Sequence, residues 1–225
     1  MISLTNAAFG YGSVPIIRNV TQELPAGSFH FLTGPSGAGK TTLLKMCYLA
    51  LRPQQGKIEV FGQDVAKMTR DQVSNMRRKI GVVHQDCQFL DHLTVQENIA
   101  LPLKVSGRNV DENMDNLMDL LSWVGMNHRI DAMPDQLSGG ERQRLALARA
   151  VIMSPDMIVA DEPTGNVDWE MAERLLTLLI ELNKMGKTIL LATHDLSLIR
   201  AAKGRVSAKV LRLKNGDLQL AGAEL

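Results

Sequence analysis

Gly34-Pro35-Ser36-Gly37-Ala38-Gly39-Lys40-Thr41-Thr42 constrains this chain more than any other stretch, because glycine, lysine and hydroxyl stand at every position a phosphate-binding P-loop requires. Its flanks supply the context such a loop needs. Ser28 to Thr33 reads as a buried strand, and Leu43 to Leu51 as a helix that ends before Pro53. Gly34, Gly37 and Gly39 let the main chain take positive φ and approach a ligand closely, so that successive N–H groups, those of Ser36 and Ala38 among them, can face one concave anion site that Pro35 also borders. The helix start adds its partial positive charge. Lys40 is then placed to reach terminal phosphates as a point charge, Thr41 to ligate Mg²⁺ and Thr42 to support it. A glycine-rich turn that merely joins strand to helix is the plainer alternative, and the strand and helix signals on both sides argue against it.

A chain of 225 residues, 45% hydrophobic and 22% charged, is an ordinary globular protein long enough to bury a real core. A net charge of +1, scattered Lys and Arg, and only 4% aromatic residues give no electrostatic stripe or stacking platform for nucleic acid. The two cysteines, Cys47 and Cys87, make no disulfide framework, which points to a reducing compartment. No run of 18 apolar residues occurs and the N-terminal residues lack a leader pattern, so membrane association is expected to come through a partner.

Residues 2 to 9 and 14 to 24 read as strands, with Phe9, Val14, Ile16, Ile17, Val20 and Leu24 as candidate core positions. Tyr11, between them, could stack on a purine or cover a sheet edge. Residues 57 to 60 read as a strand, 69 to 78 as a polar helix and 80 to 83 as a strand with Gln85 just past its end, where an amide can meet phosphate or metal-bound water, or simply face solvent. His84, Cys87 and His92 match no zinc spacing and are read as structural. Residues 88 to 136 change to helical patterns at about 94–105 and 111–124, with Met114, Leu117, Met118, Leu121 and Val124 as the inward stripe.

Leu137-Ser138-Gly139-Gly140-Glu141 opens a helix running to about Ser154. Ser138 and Glu141 form a capping box, which by itself explains both. It does not explain consecutive glycines in a first helical turn, at about 1 kcal/mol each relative to alanine. Glycines there leave N–H groups open to a bulky anion, so a second phosphate site is the sharper reading. Residues 157–161 read as a buried parallel strand with Asp161 and Glu162 at its carboxyl end, Asp161 suited to hold Mg²⁺ through water and Glu162 to act as general base on an attacking water. An amphipathic helix at 170–184, a strand at 188–193 and a hairpin turning at Asn215-Gly216 complete the chain. His194, at the end of that strand, is either a structural histidine, as lone histidines more often are, or one that could donate to a γ-phosphate and sense its loss.

The P-loop, Gln85, Leu137 to Glu141, Asp161-Glu162, Asn166-Val167-Asp168 and His194, in this order, resemble the ATP-binding cassette (ABC) ATPase subunits along nearly the full length. The resemblance implies an α/β fold: a RecA-like P-loop NTPase core with an antiparallel β-subdomain (1–87 and 155–225) and an inserted helical subdomain (88–154) that includes the signature helix. It also implies head-to-tail homodimers, with ATP and Mg²⁺ between one P-loop and the other chain's Ser138-Gly139-Gly140. By position, Tyr11 is similar to the family's adenine-stacking aromatic, Gln85 to its metal- and partner-linking glutamine, Asp168 to its D-loop aspartate and His194 to its switch histidine. His84 and Val167 depart from the usual Phe and Leu.

The segments Phe31 to Lys40, Thr94 to Leu103 and Ala192 to Ile199 resemble the cell-division members of the family most. That resemblance implies an ATPase at the cytoplasmic face of a bacterial inner membrane, held by an integral membrane partner and meeting cytoplasmic division proteins. Asp161 to Asn166 is shared with relatives that extract lipoproteins, so the ATPase of a lipoprotein-release or solute transporter is the alternative. An idle nucleotide-binding scaffold is the rival from another class.

Overall fold

In a computed structural model of the chain, residues 1–165 and 167–221 are described; Asn166, part of the quoted 161–166 and 166–168 runs, lies outside them. Two sheets organise the described residues. A four-stranded antiparallel sheet has the order β2 (Val14–Leu24), β1 (Ile2–Tyr11), β4 (Gln55–Val60), β5 (Gln63–Asp64). The six-stranded sheet has the order β10 (Asp217–Leu220), β9 (Ala208–Lys214), β3 (Phe29–Thr33), β8 (Thr188–Ala192), β7 (Met157–Asp161), β6 (Ile80–Val83). From β9 to β6 every pairing in it is parallel, and β10 returns antiparallel through Asn215 and Gly216, at φ 53° and 85° as a tight hairpin demands.

Strand alternation divides the core in two. Phe29 and Phe31 of β3, Ile158 and Ala160 of β7 and Ile189 and Leu191 of β8 face one side. There they meet α3 (Val95–Val105), α4 (Met114–Trp123), α5 (Gly139–Val151), α6 (Trp169–Lys184) and α7 (Leu196–Ala202). Leu32, Val159, Leu190 and Leu211 face the other, against α1 (Lys40–Cys47) and the inner face of the antiparallel sheet, with Met76 of α2 (Arg70–Arg77) at its margin. The helical insertion therefore shares a hydrophobic cluster with the sheet, through Ile99, Leu103, Leu117 and Leu121. Each of α2, α3 and α5 starts at a full capping box, Thr69/Gln72, Thr94/Glu97 and Ser138/Glu141.

Several expected boundaries and core positions shift. The P-loop helix stops at Cys47, four residues short of Leu51, where Leu49 turns to φ 66° and Arg77 donates to its carbonyl at 2.6 Å. Val14 is 58% exposed, because it lies at the end of edge strand β2 beyond the packed part of the sheet. Met118 is 40% exposed: only a narrow seam of α4, centred on Leu117 and Leu121, touches the core. Phe9 and Ile16 are half-buried rather than core.

Candidate functional site

Parallel strands deliver their carboxyl ends, and the loops that follow, to one edge of the six-stranded sheet. There a cleft of about 660 Å³ is lined by Gly34 to Gly37, Gly39 to Thr42, Gln85, Gln143, Asp161, Glu162, Gly165 and His194, with Ile16 of β2 on its wall. The P-loop thus meets the segments that follow β6, β7 and β8.

The glycines of the loop have separate reasons. At Gly34, φ 152°, a Cβ would sit 2.3 Å from the carbonyl oxygen of Leu213, and at Gly39, φ 100°, it would sit 2.6 Å from the Ile16 side chain. These two allow close packing of β9 and β2 on the loop. At Gly37, φ 75°, nothing lies within 4 Å of that position, so the loop opens toward the cleft. Lys40 Nζ donates to the carbonyls of Gly34 at 2.9 Å and Pro35 at 3.4 Å, folding over the loop it follows.

Opposite, Thr41 Oγ1 donates to Asp161 Oδ2 at 2.6 Å. Burial and the neighbouring Glu162 charge push the Asp161 carboxyl above its usual range, against the Thr41 hydrogen bond and the Lys40 charge. A carboxylate so placed favours an added cation. Thr41, Asp161 and the Gln85 amide offer oxygen donors only, the set Mg²⁺ takes. Among the described residues no three His, Cys, Asp or Glu side chains gather to hold a metal, so a divalent ion here would complete its shell with water or phosphate oxygens.

Glu162 has φ 49°, an arrangement costing a non-glycine residue about 1–3 kcal/mol. It is held by its own N–H to Ala192 O at 2.9 Å, and its carbonyl accepts from Gln143 Nε2 at 3.3 Å and Gly165 N at 3.2 Å. The strain turns the carboxylate into the cleft, where Oε1 lies 3.0 Å from His194 Nδ1. Gln143, two residues past Glu141 on a helix that carries many side chains inward, had no distinguishing signal in the sequence. His84 packs edge-on to Tyr48, ring centroids 5.6 Å apart.

Not every expected residue joins the cleft. Tyr11 ends β1, 51% exposed and edge-on to Phe9 at 5.1 Å, outside the lining. Ser138 and Gly139 are exposed, Gly140 is half-buried, and none of them lines the cleft. Ser138 N and Oγ both donate to Glu141 Oε2, at 2.9 and 2.8 Å. Asp168 caps α6, accepting from Met171 N at 2.8 Å.

The family model described as "ABC transporter" matches residues 17–165. The chain belongs to the ABC transporter family. The cell division ATP-binding protein FtsE of Escherichia coli K12 is 40% identical over 219 residues, covering 97% of both chains, and that of Haemophilus influenzae is 39% identical over 202 residues, covering 89% of this chain and 93% of the relative. Among solved structures, the dimeric MJ0796, a bacterial ABC transporter cassette, superposes with a TM-score of 0.89 at 31% identity, with 97% of each chain covered. A dimeric post-hydrolysis state of MJ0796 with ADP and Pi gives 0.89 at 30% identity, again over 97% of each chain. The α/β cassette fold expected from the motifs is the one found, and the nearness to cell-division members is likewise supported by these relatives. Among the described residues no helix is long and apolar enough to cross a membrane.

Proposed function

We propose that this ABC ATPase works as a head-to-tail homodimer that hydrolyses ATP to move an integral membrane partner resembling FtsX, regulating septal peptidoglycan hydrolysis in bacterial cell division. The observation that carries the reading is the meeting of Thr41 with Asp161 and of Glu162 with His194 around one P-loop. In it, the loop N–H groups and Lys40 hold the β- and γ-phosphates, and Tyr11 covers the adenine. Thr41, Gln85 and Asp161 would hold Mg²⁺, which would neutralise charge on the phosphate oxygens. Glu162 accepts a proton from the water whose oxygen bonds to the γ-phosphorus as the bond to the ADP oxygen breaks. His194 steadies Glu162 and the γ-phosphate. Ser138, Gly139 and Gly140 face the γ-phosphate held by the other chain, and Asp168 lies at the same junction.

The homodimer comes from the MJ0796 cassette, whose solved forms are dimeric, and the role in division from the FtsE relatives. Division of the chain into a core (1–87, 155–225) and a helical part (88–154) gives the closing dimer a moving part. Supporting a partner at their junction is a groove of about 460 Å³ where Val82, Pro102, Val105 and Met153 lie beside Arg77, Arg78 and Arg149. Val105 is 70% exposed. The membrane partner docks there, on the cytoplasmic face of the inner membrane, and cytoplasmic division proteins meet the assembly. Purifying the membrane complex and identifying its transmembrane chain tests this: an FtsX-like chain is expected, and a lipoprotein or solute permease in its place refutes the assignment to division. Absence of ATP hydrolysis by the purified complex would leave only a scaffold.

A further inference from the structure

A capping box needs two contacts, the cap hydroxyl oxygen accepting from the N–H three residues on and the acid accepting from the cap N–H. At Ser138 a third is present. Glu141 N donates to Ser138 Oγ at 3.3 Å and Ser138 N to Glu141 Oε2 at 2.9 Å, and the Ser138 hydroxyl also donates to Oε2 at 2.8 Å. A serine hydroxyl has one hydrogen. With it turned inward, Ser138 shows only lone pairs to the outside, where a phosphate oxygen would be repelled.

What frees that hydrogen lies on the other oxygen of the same carboxylate. Arg129 Nε donates to Glu141 Oε1 at 2.9 Å, and His128 Nε2 stands 3.8 Å away. The Glu141 side chain is only 9% exposed, so water cannot replace a donor it loses. Arg129 is held in place from behind: its N–H donates to Met126 O, its carbonyl accepts from Ala132 N, and the next carbonyl accepts from Gln96 N at the start of α3.

We propose that Arg129 is a positioning residue: by neutralising Glu141 it lets the Ser138 hydroxyl turn outward to a phosphate held by a second chain. The inference rests on the sandwich dimer proposed above. Without Arg129 the buried carboxylate depends on the Ser138 donors and keeps the hydroxyl inward.

The test uses the full chain carrying Glu162→Gln, with ATP-driven dimerisation followed by sedimentation and ATP binding to the monomer followed separately with a fluorescent ATP analogue. Arg129→Gln should raise the ATP concentration for half-dimerisation about tenfold, the worth of one hydrogen bond, with monomer binding unchanged. Arg129→Lys should stay near the parent. Adding Glu141→Gln to Arg129→Gln should restore dimerisation, because a neutral amide needs no counter-ion. A folded Arg129→Gln protein that dimerises like the parent overturns the inference, as does a folded double variant as defective as the single one. If Arg129→Gln does not fold, the Lys and double variants decide: loss of dimerisation in either refutes it. A parent that never dimerises with ATP removes the sandwich itself, and this inference with it.

Discussion

Thr41 and Ser138 each open a helix after glycine-rich turns or before them, and each gives its hydroxyl hydrogen to a carboxylate, Asp161 at 2.6 Å and Glu141 at 2.8 Å. The carboxylates differ. Asp161 sits in the cleft, pushed above its usual range by burial and by Glu162. Glu141 is also buried, yet the donors from Ser138 and Arg129 outweigh that and hold it at about 2. One hydroxyl therefore belongs to a site where two carboxylates, Asp161 and Glu162, face the single Lys40 charge, and the other to a turn whose charge is already balanced. In the proposed mechanism the first takes a cation and its phosphates, and the second lends contacts to an anion bound elsewhere.

The largest test of that division is Glu162→Gln. With Glu162 as the proposed base, its removal should slow hydrolysis about 10²- to 10⁴-fold while ATP binding persists, read by phosphate release alongside nucleotide binding. A closed dimer should then accumulate on size exclusion with ATP. A variant that binds ATP and stays monomeric breaks the comparison, because the signature turn would have no phosphate to meet. Lys40→Ala should act earlier, weakening ATP binding about 10- to 100-fold, the worth of a charge-assisted hydrogen bond.

Asp161→Asn and Glu141→Gln sharpen the contrast further. Without its charge at Asp161, the cleft should need about tenfold more Mg²⁺ for half-maximal hydrolysis, whereas Glu141→Gln should leave the Mg²⁺ dependence where it was. Equal Mg²⁺ shifts in both variants would mean that the two carboxylates are not distinct in kind.

The cleft was more legible than the turn. Gly34 to Thr42, Asp161 and Glu162 announce themselves because phosphate and metal chemistry demand particular residues at fixed spacing, and their strands are short, apolar and bounded by turn residues. The Ser138/Glu141 box was equally plain, since both partners lie within one helical turn. Arg129 was not, because its link to Glu141 spans a bent segment with no periodicity. Nor was the φ of Glu162, which tertiary contacts from Ala192 and Gln143 impose against local preference. Val14 and Met118 misled because an apolar pattern gives the face of an element but not how far its neighbours extend.

The smallest effect separates the two regions by pH. His30 lies on β3, the strand that enters the P-loop; it is fully buried, its Nδ1 is 3.1 Å from Ser28 Oγ, and its Nε2 has no hydrogen-bond partner among the described residues. Burial, with the Lys209 charge adding to it, lowers its pKa to about 4 from 6.5. The folded chain thus binds fewer protons here than the unfolded one between those values, so stability is full above about 6.5 and falls as pH drops toward 4, by at most about 1.4 kcal/mol per pH unit. Glu141, lowered from 4.5 to about 2, gives its stability above 4.5 and loses it toward 2. Urea unfolding across pH should therefore show His30→Leu flattening the upper window and Glu141→Gln the lower. If His30→Leu left the slope between pH 6.5 and 4 unchanged, the strand beneath the P-loop would not be the source of acid lability, and the two regions would share one proton-linked weakness.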